Sequence, residues 1–129
     1  MFSEAEADAI LQSIAILPNV VGSVVLTFEG KVIRSNFEDR NQIEDIAHWS
    51  IRCFMASEMV ANKTPPCYSQ LQQITLFTNE SSFCIVRADS FLISTLTKNA
   101  DAVDVVVLAK TIARLILLKG ENSLDFEPY

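Results

Sequence analysis

The sequence contains few of the residues on which catalytic and ligand-binding motifs depend. Its three glycines, Gly22, Gly30 and Gly120, are isolated, and none belongs to a glycine-rich loop of the kind that binds phosphates. The single histidine, His48, precedes Cys53 by five residues. Five residues turn an α-helix by about 140°, so the two side chains of such a Cys-His pair diverge. We therefore expect no nucleotide binding and no histidine-assisted catalysis.

The cysteines and the paired acids are also poor candidates for a chemical site. Cys53, Cys67 and Cys84 are an odd number, and their spacings of 14 and 17 residues match no zinc pattern. Glu38-Asp39 and Glu44-Asp45 could bind a metal, but capping and solvation at the start of a helix explain them better. We expect no enzyme activity, no metal site and no cofactor.

Basic clusters and long apolar runs are absent as well. The net charge is −6, and the ten Lys and Arg residues are scattered, so no patch could follow a nucleic-acid backbone. The longest uninterrupted apolar run, Val105–Ala109, is far shorter than the roughly 20 residues of a membrane span. The acidic start, MFSEAEADAI, lacks the pattern of a signal peptide. We expect a cytoplasmic protein with no nucleic-acid partner and no direct membrane insertion.

The most informative segment that is present runs from Val20 to Phe37. Two apolar, β-branched runs flank a Glu29-Gly30 turn, which predicts a β-hairpin. Val24, Leu26 and Phe28 point to one face of the first strand and Val25 points to the other. Because both faces carry apolar residues, the strand belongs in a sheet that helices cover on both sides.

Periodicity and turn residues divide the rest of the chain into three helices and three strands. Ser3 and Glu6 form a capping-box pattern for the first helix, and Asp39 is an N-cap for the second. We predict one domain over residues 1–120 and a flexible acidic tail over residues 121–129. The predicted helices are Ser3–Leu17, Asp39 to about Asn62 and about Asp101 to Lys119, and the predicted strands are Leu71–Thr78, Phe83–Ala88 and Phe91–Thr97.

The resulting order, α-β-β-α-β-β-β-α, resembles that of the roadblock dynein light chains. The similar features are Val21-Gly22 after the first helix, the Glu29-Gly30 turn, and the strands around Leu76 and Phe91-Leu92-Ile93, with the last leading into the final helix. The resemblance covers roughly Ala5 to Lys119. It implies an α/β (α+β) layered domain with a five-stranded antiparallel sheet in the order 2-1-5-4-3. Helix two then lies on one face, with helices one and three on the other.

The resemblance also implies a function. Roadblock proteins are non-catalytic dimerising modules that serve as dynein light chains, as scaffolds for small GTPases on endolysosomal membranes, or as GTPase regulators in prokaryotes. The expected partners are therefore a second copy or another roadblock chain, in a homodimer or heterodimer, and either a dynein intermediate chain or a small GTPase. Any association with the cytoskeleton or endolysosomes would come through those partners. The alternative is a longin- or profilin-like trafficking domain, which shares the sheet but not the homodimer.

Surplus apolar surface locates a predicted dimer interface. Trp49, Ala56 and Val60 form a stripe beside the core face of helix two, with Cys53 at its border. The segment Gln72–Thr78 has no charge and no proline, so as an edge strand it is open to pairing. The alternative is that Trp49 only covers the edge of the core. The predicted interface residues are Trp49, Cys53, Ala56, Val60, Gln73, Thr75 and Phe77.

Helix three carries a second apolar surplus. Its apolar side chains span an arc of roughly 200°, about twice what one sheet-facing stripe needs. One alternative is that helix one packs beside helix three and buries the excess. The other is that a partner docks there, and Ile116 and Leu117, toward the C-terminal end, are then the predicted docking residues.

Overall fold

The computed structural model describes residues 4–63, 71–88 and 91–98, together with residues 106, 107, 110–112 and 114 of the predicted third helix, which are helical. The acidic tail lies outside these residues, so the predicted domain boundary at residue 120 stays a prediction. The elements are α1 (Glu4–Ala15), β1 (Val20–Thr27), β2 (Val32–Ser35), α2 (Arg40–Lys63), β3 (Gln73–Phe77), β4 (Ser81–Ala88) and β5 (Phe91–Lys98).

The five strands form one antiparallel sheet in the order β2-β1-β5-β4-β3, which confirms the predicted topology. The prediction that β1 carries apolar residues toward helices on both faces of the sheet is confirmed as well. Val24 and Leu26 are buried with residues of α2, whereas Val25 is buried with residues of α1. Ile112 of the third helix is fully buried in the α1-side core. The layers are therefore α2, the sheet, and α1 with the third helix.

The hairpin connection is longer than its sequence suggested. β1 ends at Thr27 and β2 begins at Val32, so four residues connect the strands rather than the Glu29-Gly30 pair alone. The Thr27 amide donates to the carbonyl of Lys31 at 2.9 Å, and Gly30 has a φ of 91°. A positive φ favours glycine, so Gly30 is placed where the turn requires it.

Two predicted helix boundaries have clear local causes. α1 ends at Ala15, slightly before the predicted Leu17, and the chain then turns through Asn19, whose φ is 65°. Asparagine tolerates this left-handed conformation better than most residues. At the start of α2, the Asn41 amide donates to Asp39 Oδ1 at 2.9 Å, so Asp39 caps the helix as predicted. Ser3 of the predicted capping box lies outside the described residues.

The position of α2 on the sheet decides which strands the helix covers. Ser50 Oγ and Ser94 Oγ are 2.8 Å apart and buried, so small hydroxyl side chains let the middle of α2 lie close to β5. Phe54 is fully buried among residues of the sheet. In the strand order, β5 is central and β3 lies at one edge. The exposed apolar side chain of Leu76 lies on β3.

Candidate functional site

An apolar groove runs along α2 on the side that faces β3. It has a volume of about 300 Å³ and lies between the first half of the helix and the outer strands of the sheet. The groove exists because α2 packs mainly against β1, β2 and β5 and not against the β3 edge, which leaves Leu76 45% exposed. Its lining residues are Asp45, Ile46, Trp49, Ser50, Cys53, Leu76, Phe83 and Ile85.

Trp49 lines this groove while staying largely open to solvent. Its side chain is 63% exposed, so it does not simply cover the edge of the core. The Arg52 guanidinium lies 5.6 Å from the centre of the indole ring, and the His48 ring meets it edge-on at 4.9 Å. An exposed tryptophan beside an apolar groove is a typical anchor of a protein interface.

The apolar surface continues along the outer side of α2. Ala56 and Val60, which the sequence predicted, are both exposed, and Cys53 is half-buried. Met55 and Met59 are also exposed, at 55% and 57%, and were not predicted. Methionine adapts its shape to a partner, so Met59 extends the candidate surface toward the C-terminal end of the helix. Met55 lies about 100° around the helix from Ala56 and is outside this surface.

The main chain of β3 presents an open edge beside the groove. The Arg87 amide donates to the carbonyl of Gln72, and the Thr78 amide donates to the carbonyl of Ser81, both at 2.8 Å. Antiparallel pairing alternates along a strand, so the even-numbered residues of β3 bond to β4. The main-chain groups of the odd-numbered residues, Gln73, Thr75 and Phe77, therefore face outward.

The side chains of β3 divide between the two faces of the sheet. Leu76 points into the groove beside Trp49, whereas Thr75 hydrogen-bonds Cys84 in the α1-side core. Phe77 shares the face of Thr75 by strand alternation and is 52% exposed. The structure thus brings Trp49, Cys53 and Leu76 together in one groove. The predicted strand residues do not line that groove, and their main chain faces outward at the edge of the sheet.

Leu76 and Phe83 were missed as site residues because their contribution depends on strand pairing. Leu76 pairs with Phe83 across the β3–β4 ladder, and both point to the α2 side. The signal that could have found them is alternation along Gln72–Thr78, but that pattern does not tell which face is covered by a helix. Only the position of α2, which packs against β1, β2 and β5, shows which face of the sheet the helix covers.

The two described cysteines differ in their surroundings. Burial raises the pKa of the Cys84 thiol to about 11, against a smaller lowering effect of the hydrogen bond with Thr75. This thiol is therefore protonated and unreactive at neutral pH. Cys53 lies at the groove, and Cys67 lies outside the described residues. Within residues 4–63, 71–88 and 91–98 and the described positions of the third helix, no three His, Cys, Asp or Glu residues are grouped as metal ligands.

The third helix exposes apolar side chains on the opposite layer. Val106 and Val107 are 49% and 57% exposed, although Ile112 is fully buried. α1 therefore leaves part of the apolar arc uncovered near the start of this helix. The predicted docking residues Ile116 and Leu117 lie outside the described residues. Among the described helices, none is long and apolar enough to cross a membrane.

The chain is similar to solved roadblock structures. A Roadblock/LC7 domain from Streptomyces avermitilis aligns with a TM-score of 0.76 and 15% identity over 91% of this chain and 97% of that one. MglB of Myxococcus xanthus aligns with a TM-score of 0.76 and 14% identity over 100% of this chain and 98% of that one. A structure of MglB with a tetrameric arrangement aligns with a TM-score of 0.74 and 12% identity over 96% of each chain. No protein-family model and no curated protein matches the sequence.

These similarities confirm the predicted roadblock fold. Profilin II of Acanthamoeba castellanii also aligns, but with a lower TM-score of 0.55 and 8% identity over 88% of this chain and 94% of that one. The profilin-like alternative thus shares the sheet, as expected. The three roadblock structures named above align with this chain at higher TM-scores.

Proposed function

We propose that this chain is a non-catalytic, dimerising roadblock module that connects a small GTPase to a larger assembly. The observation that carries the proposal is the coincidence of an exposed tryptophan, an apolar groove and an open strand edge on one side of the molecule. Each feature alone is common on protein surfaces. Together they offer both main-chain hydrogen bonds and apolar area to a second chain.

The proposed dimer interface combines the outer side of α2 with the edge of β3. On α2 it includes Trp49, Cys53, Ala56 and Val60, and on β3 it includes the outward main chain of Gln73, Thr75 and Phe77. The structural likeness to an MglB protein with a tetrameric arrangement supports association. The partner across the interface is a second copy or another roadblock chain.

The small GTPase is favoured over a dynein intermediate chain by the origin of the similar structures. They include proteins from Streptomyces and Myxococcus, and the resemblance to the roadblock family implies GTPase regulation for its prokaryotic members. We place the docking surface for that partner on the third helix, at Ile116 and Leu117. The half-exposed Val106 and Val107 support it, because they already leave apolar surface open on the same helix.

Light scattering of the purified protein tests the dimer. At about 50 μM, a concentration suited to ordinary transient affinities, the measured mass should be twice the chain mass of 14.3 kDa. A monomer that stays folded and soluble at this concentration would contradict homodimerisation. Addition of candidate roadblock chains would then show whether only a heterodimer forms.

Affinity capture from the native cell tests the partner. Small GTPases should be enriched with the bound chain, whereas dynein chains in their place would make this a motor subunit. Leu117→Glu should abolish capture while leaving the dimer mass unchanged. Lys110→Glu, an exposed position on the same helix, is the matched charge control. A Leu117→Glu chain that unfolds would show that Leu117 belongs to the core.

A further inference from the structure

The sheet has a second edge strand, β2, on the side opposite β3. Among the described strands, β2 pairs only with β1. Lys31 and Asn36, which flank β2, each form a main-chain hydrogen bond with β1, of 2.9 Å and 3.2 Å between nitrogen and oxygen. Because pairing alternates along an antiparallel strand, the main-chain groups of the adjacent residues Val32 and Ser35 face outward.

The space beside this edge has room for another strand. A groove of about 690 Å³ lies between β2 and α2, and its helical wall includes Ile43, Ala47 and Ile51. Ala47 and Ile51 are buried, and Ile43 is half-buried. A strand laid along β2 would place every second side chain against this apolar wall while its main chain paired with β2. The outward main chain and the groove are therefore what strand addition requires.

The side chain of Arg34 lies in the middle of this edge. Ile33 is the extra residue of a β-bulge and has no partner in β1. The carbonyl of Ile33 accepts from Arg34 Nη1 at 2.9 Å. The other guanidinium nitrogens contact α1, with Nη2 2.6 Å from Glu4 Oε2 and Nε 3.2 Å from Asp8 Oδ1. Each nitrogen thus has a partner, and one partner is a main-chain group of the edge itself.

These contacts make the addition of a strand costly at β2. The Arg34 side chain is 36% exposed, so a strand paired over it would bury the cation or break its hydrogen bond to Ile33. A single exposed ion pair stabilises little, but three partners together hold the planar guanidinium in one orientation. The β3 edge has no comparable protection, because its residues Gln73–Phe77 carry no charge.

We infer that Arg34 closes the β2 edge to strand addition, so that a chain pairing with this sheet through its main chain does so only at β3. The inference goes beyond the proposed function, because it concerns the edge that the proposed interface leaves unused. It attributes the closure to one side chain and not to the shape of the edge. Two open edges would let sheets join end to end without limit, so the closure also keeps any assembly finite.

Arg34→Val tests this inference by sedimentation velocity of the full chain over a dilution series. Valine removes the cation and its hydrogen bond to Ile33, and it favours the strand conformation. At about 50 μM, the mean mass should be at least about twice that of the unchanged chain, because a second open edge adds a second contact. Hydrogen exchange at the outward amide of Ser35 should slow about tenfold or more, since another chain then bonds it.

The matched control is Lys31→Val, which makes the same change of charge and side chain at an exposed position beside β2. The Lys31 carbonyl is bonded to Thr27 within the hairpin, so this variant should keep the mass of the unchanged chain. The double variant R34V/T75P has only the β2 edge open, so its association should stop at two chains. Circular dichroism checks the fold, and Arg34→Thr replaces Arg34→Val if the valine variant does not fold.

The outcomes separate this inference from the proposed function. Equal masses for the unchanged chain, Arg34→Val and Lys31→Val would overturn the closure by Arg34. Equal growth of both variants would also overturn it, because loss of charge alone would then be the cause. Growth of R34V/T75P beyond two chains would show that association does not use the sheet edges. A monomeric unchanged chain would contradict the proposed homodimer, whereas pairing of Arg34→Val through β2 would still support the closure.

Discussion

Position 22 of β1 has to be a glycine because of the Phe37 ring, which belongs to a later segment of the chain. A Cβ added at this position would lie 2.6 Å from Cε1 of Phe37 and 2.7 Å from its Cδ1. The Phe37 ring is buried in the α2-side core, so it has little room to move. The glycine is therefore needed for the close approach of a ring rather than for an unusual φ.

Gly22→Ala should consequently destabilise the domain. We expect a loss of about 1–3 kcal/mol in the free energy of unfolding, the usual cost of overpacking a core. Urea denaturation followed by circular dichroism measures it. In a Phe37→Leu background the same change should cost much less, because the smaller side chain leaves room for the methyl group. Equal costs in both backgrounds would show that the Phe37 ring is not the cause.

At the scale of elements, Arg87 connects α2 to the sheet. Its guanidinium lies 4.8 Å from the ring centre of Phe28 and 5.2 Å from that of Phe54. Arg87 Nε donates to the carbonyl of Leu71 at 2.9 Å, and Nη2 pairs with Glu58 of α2. The Arg87 side chain is only 11% exposed, so its charge depends on these partners.

Arg87→Met should destabilise the domain because it leaves Glu58 partly buried without its cation. We expect a loss of about 2–3 kcal/mol in the free energy of unfolding, since removing one partner of a buried pair is costly. Glu58→Gln, which keeps a hydrogen-bond acceptor, should cost about 1 kcal/mol. Chemical denaturation of both variants measures the difference. An Arg87→Met chain as stable as the original would show that the ion pair contributes nothing.

The helices and strands could be predicted from the sequence because the residue patterns that indicate them are local. The period-3.6 pattern of Ile10, Leu11 and Ile14 needs only α1, and all three are buried as such a pattern requires. Element ends were less accessible: β3 runs from Gln73 to Phe77 and is shorter than the predicted Leu71–Thr78 at both ends. Arg87 was not predicted at all. Its ring contacts join residues 28, 54 and 87, which no local pattern relates.

At the scale of the whole molecule, the sequence predicted the exposed edge but not how it is presented. The strand order that the resemblance implies placed β3 at an edge, and the lack of charge and proline in that segment indicated an edge open to pairing. The sequence could not show which residues of β3 contribute a side chain and which contribute main-chain groups, because this depends on which of them bond to β4. In the structure, Leu76 contributes a side chain to the groove, whereas Thr75 contributes its main-chain N–H to the edge.

Thr75→Pro should therefore split the proposed dimer without unfolding the chain. Proline removes the outward N–H of Thr75 and the side-chain hydrogen bond with Cys84, but it leaves the main-chain hydrogen bonds between β3 and β4 in place. Two-fold symmetry removes two hydrogen bonds, so the dimer Kd should rise about 30-fold or more, at about 1 kcal/mol per bond. Light scattering across a dilution series measures this, and circular dichroism confirms the fold.

Two matched variants decide whether the outward edge is responsible. Thr75→Val loses the hydroxyl but keeps the N–H, so it should remain a dimer. Ile74→Pro removes an N–H that faces β4, so it should destabilise the monomer itself, because an interior ladder bond is lost. If Thr75→Pro dimerises as well as Thr75→Val, the edge of β3 is not part of the interface. The outer side of α2 would then have to hold the two chains together without hydrogen bonds between the β3 strands.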